Sequence, residues 1–205
     1  MSKRSVAQVS NVQIKNRLKA WLNEALEHPV VWKAGKEWYS EAQDFVFNTA
    51  FEYGYKRYEV ACIVAILSPN NKWERNKIDT ITVLKAYKAG IGPEQVKVCT
   101  YNANKKKAFE FLAGNVDLSY KSPKTHSFAM NVGLQSPDHI TVDKWHLRAC
   151  VGRPHEGVYD AVESCTAAQY RRVEYLTAEV AHSFGLKGYE AQAIIWVMIK
   201  KIWNR

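Results

Sequence analysis

The sequence predicts an all-α protein, on three observations. Gly (10) and Pro (6) make up about 8% of the 205 residues against roughly 12% in average usage, so few positions cut the chain into short strands and turns. Apolar residues recur at helical spacing along most of the chain, and the segments that carry them end at Gly or Pro. Hydrophobic residues account for 47% and charged ones for 24%, the balance of a folded globular protein rather than of a disordered or collagen-like chain.

Val12, Ile14, Leu18, Trp21, Leu22 and Leu26 mark one face of a helix over 12–27, with Pro29 as its stop. Residues 36–53 carry Trp38, Phe45, Phe47, Ala50 and Phe51 ahead of Gly54 and form a second helix. From Arg57 to Leu67 the run is apolar on nearly every side, as a helix at the centre of a helical protein must be; its length and its helical neighbours favour this over a buried strand. Ser68-Pro69-Asn70-Asn71 breaks the pattern, and a helix resumes from about Lys72 through Tyr87 until Gly90.

Ile91-Gly92-Pro93 opens a loop, and residues 103–113 read as a Lys-rich helix ended by Gly114. Residues 123–134 form a helix with Pro123 in the first turn, where a missing N–H costs nothing. After Ser136-Pro137-Asp138 comes a short β-branched piece, Ile140-Thr141-Val142, and Asp143 then stands where it would cap the next helix. Residues 159–165, 169–184 and 189–203 continue as helices, the last with Ala191, Ile194, Ile195, Met198, Ile199 and Ile202 as a core-facing stripe. The expectation is eight to ten helices in a single unit over 1–205.

Lys and Arg exceed Asp and Glu by 29 to 20, a net charge of +9, which suits a polyanionic partner and equally a merely basic protein. Between positions 85 and 124, eight Lys stand against three acidic residues, either as a solvated helix face or as a phosphate-facing surface. No apolar run reaches the 18 or so residues of a membrane span, and the polar start MSKRSVAQVSN lacks a signal-like stretch. The expected setting is therefore soluble and intracellular, in cytoplasm or nucleoid, including that of a virus-encoded protein in a host cell. Cys62, Cys99, Cys150 and Cys165 show no CxxC pairing and the six His no HxxxH or HExxH pattern, so no metal and no cofactor are expected.

Two residues stand out by position: Lys124 in the opening turn of a helix, and Asp143, 19 residues on, at the mouth of the next. With Pro123-Lys124-Thr125, Val142-Asp143 and Arg148, this segment resembles the signature of the helix-hairpin-helix (HhH-GPD) DNA base-excision glycosylase superfamily, to which endonuclease III and 8-oxoguanine glycosylase belong. Two further segments match in the same order: Ile66-Leu67-Ser68-Pro69-Asn70 and Tyr101-Asn102-Ala103-Asn104-Lys105-Lys106-Lys107-Ala108. The three anchors span 66–148. Taken singly, Lys124 reads as an exposed first-turn lysine and Asp143 as a plain cap; their spacing and the upstream anchors favour the functional reading.

The resemblance implies a two-lobed helical fold with the active site in the cleft between lobes. Lobe 1 would be about 56–149, with the hairpin and the catalytic Lys, and lobe 2 would be 1–55 plus 150–205. It implies a DNA N-glycosylase with associated AP-lyase activity, acting as a monomer on double-stranded DNA and away from membranes. The base is flipped out of the stack at a cost of a few kcal/mol. Asp143 would stabilise positive charge developing on the sugar, and the Lys124 amine would attack the sugar carbon to form a Schiff base.

Asn70 is the counterpart of the residue that fills the gap left by the flipped base, or else a turn residue, and Asn71 follows it toward the DNA. Lys105, Lys106, Lys107, Lys121, Ser122 and Thr125 would contact the backbone. Trp145 and His146 line the base pocket or belong to the core, and Arg148 braces the fold. The hairpin Leu118-Ser119-Tyr120-Lys121-Ser122-Pro123 departs from the family in having Tyr120 and Ser122 where glycines would admit a phosphate, and the iron–sulfur cysteine cluster of some relatives is missing. The rival readings are a DNA base-modification enzyme on the same fold, acting on an altered base such as a viral genome carries, and a non-catalytic DNA-binding module.

Overall fold

The computed structural model describes residues 6–118, 122–134, 136–137, 139–153 and 162–203, and the protein is all-α. In chain order the helices are α1 (Asn11–Leu26), α2 (Pro29–Tyr53), α3 (Arg57–Leu67), α4 (Trp73–Lys88), α5 (Asn102–Leu112), α6 (Pro123–Leu134), α7 (Lys144–Val151), α8 (Ala167–Ser183) and α9 (Gly188–Trp203). Short 3-10 turns stand at Val6–Gln8 and Pro93–Gln95. No strand occurs among the described residues.

Local chemistry explains the helix starts. Ser10 and Gln13 form a reciprocal capping box on α1: Ser10 Oγ accepts from Gln13 N at 3.2 Å, and Gln13 Oε1 accepts from Ser10 N at 3.0 Å. Thr166 and Gln169 repeat this on α8. Two boundaries differ from the sequence expectation. Helix α2 begins at Pro29, seven residues earlier than position 36, because a proline at the first helical position lacks only an N–H that has no helical partner there. Residues 162–166, expected to be partly helical, are not; the Val162 carbonyl accepts from Arg148 Nε at 3.0 Å, and Thr166 is extended as the cap of α8. Residues 159–161 of that expected helix lie outside the described residues.

The chain divides into two compact units, Met1–Tyr39 with Pro137–Arg205 (the terminal unit) and Ser40–Ser136 (the middle unit); the sequence reading set its lobes at about 56–149 and the remainder. In the terminal unit, α1 packs on α7, α8 and α9. Ile14, Leu18, Trp21 and Leu22 meet Leu147, Val173, Leu176, Ile194, Ile195 and Met198 there in one buried cluster. Each such side chain contributes about 1.5–3 kcal/mol of transfer free energy. Gly35 of α2 permits close approach to α9, since a Cβ on it would stand 2.4 Å from the Ile194 Cα.

In the middle unit α3 is the central helix, buried from Val60 through Leu67 and packed against α4, α5 and α6. This explains why its sequence is apolar on all sides. Gln43 of α2 ties the later part of that helix to α6 by donating Nε2 to the Asn131 carbonyl at 2.7 Å.

Candidate active site

Two of the three sequence anchors meet in the middle unit. The turn after α3 is closed by Ser68 Oγ on the Ala65 carbonyl and by Asn71 N on the Ser68 carbonyl. Thr100 Oγ1 donates to the Pro69 carbonyl at 3.0 Å, Asn104 Nδ2 donates to Thr100 Oγ1 at 3.1 Å, and the Asn70 amide donates to the Tyr101 hydroxyl. Asn70 is exposed and has φ +54°, the only described non-glycine residue in the left-handed region. Asparagine tolerates that conformation better than most residues, but it still stores strain of order 1 kcal/mol, as functional turns often do. Asn71 faces the protein: its Nδ2 donates to Asp79 Oδ2 at 2.9 Å and to the Leu67 carbonyl.

Asp79 organises this region, and the sequence reading missed it. It is fully buried and accepts from Asn71, from Arg75 Nε at 2.8 Å and from the Cys99 backbone N at 2.8 Å. The available signal was an acidic residue on the core-facing side of α4, four residues after an arginine.

The expected phosphate-contacting lysines divide. Lys105 is corrected: it is 7% exposed and donates Nζ to the Val96 carbonyl at 2.8 Å, so it fastens α5 to the preceding loop instead of facing solvent. Position 105 shares the inward face of α5 with Ala108 and Phe109, three and four residues on. Lys106 is exposed and pairs with Glu94 at 3.1 Å, and Lys107 is half-buried. At the start of α6, Ser122 and Thr125 are half-buried and Lys124 is exposed, with the Ser122 carbonyl accepting from His126 N. Lys121 lies outside the described residues.

Asp143 belongs to the terminal unit and is held there through the residues before it. Tyr170 of α8 donates its hydroxyl to the Ile140 carbonyl at 2.8 Å and accepts from Val142 N at 3.0 Å, while Glu174 Oε1 accepts from Ile140 N at 3.0 Å. The β-branched piece forms no strand, and side chains of α8 meet the backbone demand that a second strand would otherwise meet. It delivers Asp143 in extended conformation as the N-cap of α7, with Oδ1 accepting from His146 N at 2.8 Å.

Around Asp143 the chemistry is unusual for a helix start. Trp145 is half-buried, and its ring centroid lies 5.3 Å from Lys144 Nζ, 5.1 Å from the Arg148 guanidinium carbon and 4.2 Å from Lys200 Nζ. Desolvation pushes the Lys200 amine below the usual lysine value; the Asp143 carboxylate opposes that shift and Lys144 adds to it. The sequence reading missed Lys200, although its place four residues after Trp196 sets the two on one face of α9.

His146 is 1% exposed and belongs to the core of the terminal unit. Its Nε2 lies 2.8 Å from Thr177 Oγ1, whose own proton goes to the Val173 carbonyl at 2.7 Å. Assigned from this network, the imidazole proton sits on Nε2, and Nδ1 is a buried acceptor with no hydrogen-bond partner among the described residues. Burial pushes the imidazole down to about 4. Burial also pushes the Cys62 and Cys150 thiols up to about 12, which leaves them poor nucleophiles near neutral pH.

Fold and geometry define an all-α protein with two features of chemical interest: a helix-capping carboxylate within Coulombic reach of a desolvated amine, and a left-handed asparagine presented at an interhelical turn. The chain belongs to the family described as "Family of unknown function (DUF7178)", whose model matches residues 1–202. No curated protein and no solved structure matches the chain. Among the described residues, no helix is long and apolar enough to cross a membrane.

Proposed function

We propose that this protein is a DNA N-glycosylase with associated AP-lyase activity, which everts a damaged or modified base from double-stranded DNA and excises it. The observation that carries the reading is the docking of the Asn70 turn onto Tyr101. Two segments that resemble the glycosylase family separately, 31 residues apart, share one hydrogen-bonded surface, and the exposed Asn70 is fixed in a conformation that most residues avoid. A side chain so presented suits the gap that an everted nucleotide leaves in the stack.

The assignments follow the chemistry of base release. Breaking the N-glycosidic bond puts positive charge on the sugar, and the Asp143 carboxylate stabilises it. The amine that the resemblance assigns to the sugar carbon is Lys124, exposed in the opening turn of α6. Lys106, Lys107 and Lys121 supply backbone charge, in keeping with the net charge of +9. The protein acts as a monomer within the cell that holds its DNA.

The test is a panel of duplexes, each with a single altered base, assayed for base release and strand nicking. Release at one or a few of these bases, abolished by Asp143→Asn, is the expected result. Tight binding of such duplexes without release across the whole panel would leave a DNA-binding module and end the enzymatic reading.

A further inference from the structure

Resting on the glycosylase–lyase reading, we infer that Lys200 of α9, and not Lys124, is the amine that attacks the sugar carbon beside Asp143. Three observations lead there. First, Lys200 and Asp143 belong to the same compact unit, on α9 and at the start of α7, and those two helices pack together. Second, the Lys200 amine sits between aromatic surfaces, 4.2 Å from the Trp145 ring centroid and 5.9 Å from that of Trp196, while the residue as a whole is only half-buried. The two rings hold the amine in place near the end of α9, where it remains partly exposed to an approaching sugar. Third, partial burial is the largest influence on the Lys200 amine and disfavours its ammonium form; Lys144, which lies over the same Trp145 ring, acts in the same direction, and Asp143 opposes both without reversing them.

The magnitude matters here. A lysine at its ordinary value near 10.4 is neutral in only about one molecule in 10³ at pH 7.4, and each unit of lowering raises that fraction about tenfold.

The step balances without a co-reactant. The neutral Lys200 Nζ donates its lone pair to C1′ of the sugar as the C1′–N bond to the base breaks, and the departing base keeps that electron pair and takes a proton. The new aminal nitrogen loses a proton to Asp143. The C1′–O4′ bond then opens, O4′ is protonated, and a C1′=N iminium links lysine and sugar. Loss of a C2′ proton with departure of the 3′ phosphate cleaves the strand. Trp145 and Trp196 act by placing the amine and excluding water.

A duplex with one abasic site tests the assignment without knowledge of the natural base, because its open-chain aldehyde forms the same imine and borohydride reduces it to a stable secondary amine. Wild-type protein is trapped on this duplex, digested, and the sugar-bearing peptide identified by mass. Attachment at Lys200, with trapping reduced at least tenfold in Lys200→Gln and Lys200→Arg but retained in Lys124→Gln, is the expected result. Lys200→Arg keeps the cation over Trp145 and cannot form an imine, so its loss of trapping is not a packing defect. Attachment at Lys124, with trapping retained in Lys200→Arg, overturns the inference and leaves the glycosylase–lyase reading intact. Absence of any trapped wild-type product overturns both.

Discussion

Gly133 of α6 lies so close to Ala61 of α3 that a Cβ on the glycine would stand 2.6 Å from the alanine Cβ. The two helices therefore meet at small residues, and this contact fixes where α6 places Ser122, Lys124 and Thr125 relative to the buried α3. Gly133→Ala gains about 1 kcal/mol in helix propensity but forces α6 away from α3, at about 1–3 kcal/mol for an overpacked core. The expected net result is lower stability in urea unfolding, with recovery in the Gly133→Ala/Ala61→Gly pair. A single variant as stable as wild type, with no coupling in the cycle, would show that the contact has slack.

Lys105 and Lys106 are neighbours with opposite expected phenotypes. Lys105→Ala leaves the Val96 carbonyl without its partner and removes a buried aliphatic stem, for a loss of about 1–3 kcal/mol in folding stability. Lys106→Ala removes only an exposed ion pair with Glu94 and should change stability by less than about 1 kcal/mol. On DNA the order reverses: Lys106→Ala lowers the slope of log K against log salt by about one, equally for all duplexes. Equal salt slopes for wild type and Lys106→Ala would remove Lys106 from the interface.

His146 gives a pH dependence of known sign. Its native pKa, held down to about 4 by burial, is below the unfolded value of 6.5, so between those two the unfolded chain binds a proton that the native protein does not. The contribution is fully present above about pH 6.5 and is lost as pH falls through the window toward 4, for a total of about 3 kcal/mol. His146→Gln keeps a donor for Thr177 without the titration. The stability advantage of wild type over this variant should shrink by about 2–3 kcal/mol between pH 7 and pH 4.5. An advantage independent of pH would mean that the imidazole is solvated in the native state.

The helices were legible in the sequence because their apolar spacing and their Gly and Pro punctuation are local. Asp143 as a cap and Asn70 as a turn residue were legible for the same reason. The direction of a side chain on a helix in tertiary contact was not. Three consecutive lysines look alike in sequence, yet packing turns Lys105 inward and leaves Lys106 outside. Partnerships between remote positions were also out of reach. Tyr170 and Glu174 hold Ile140 and Val142 from about 30 residues away, and Lys200 meets Trp145 from 55 away. Composition marks none of these pairs, because any core offers many aromatic and charged residues that could have met.

Asp143 separates structure from chemistry in one substitution. As the N-cap of α7 it needs only a side-chain oxygen to accept from His146 N, and asparagine caps about as well as aspartate. Asp143→Asn keeps the cap and should cost less folding stability than Asp143→Ala, which loses it at about 1 kcal/mol. Charge stabilisation of the sugar needs the carboxylate itself, which the amide cannot replace. Base release from the preferred duplex in single-turnover assays should fall by more than tenfold in Asp143→Asn, which corresponds to at least about 1.4 kcal/mol in the barrier. If Asp143→Asn releases base within tenfold of wild type while Asp143→Ala unfolds more readily, the residue is a cap and nothing more, and the carboxylate that faces the sugar must be sought elsewhere.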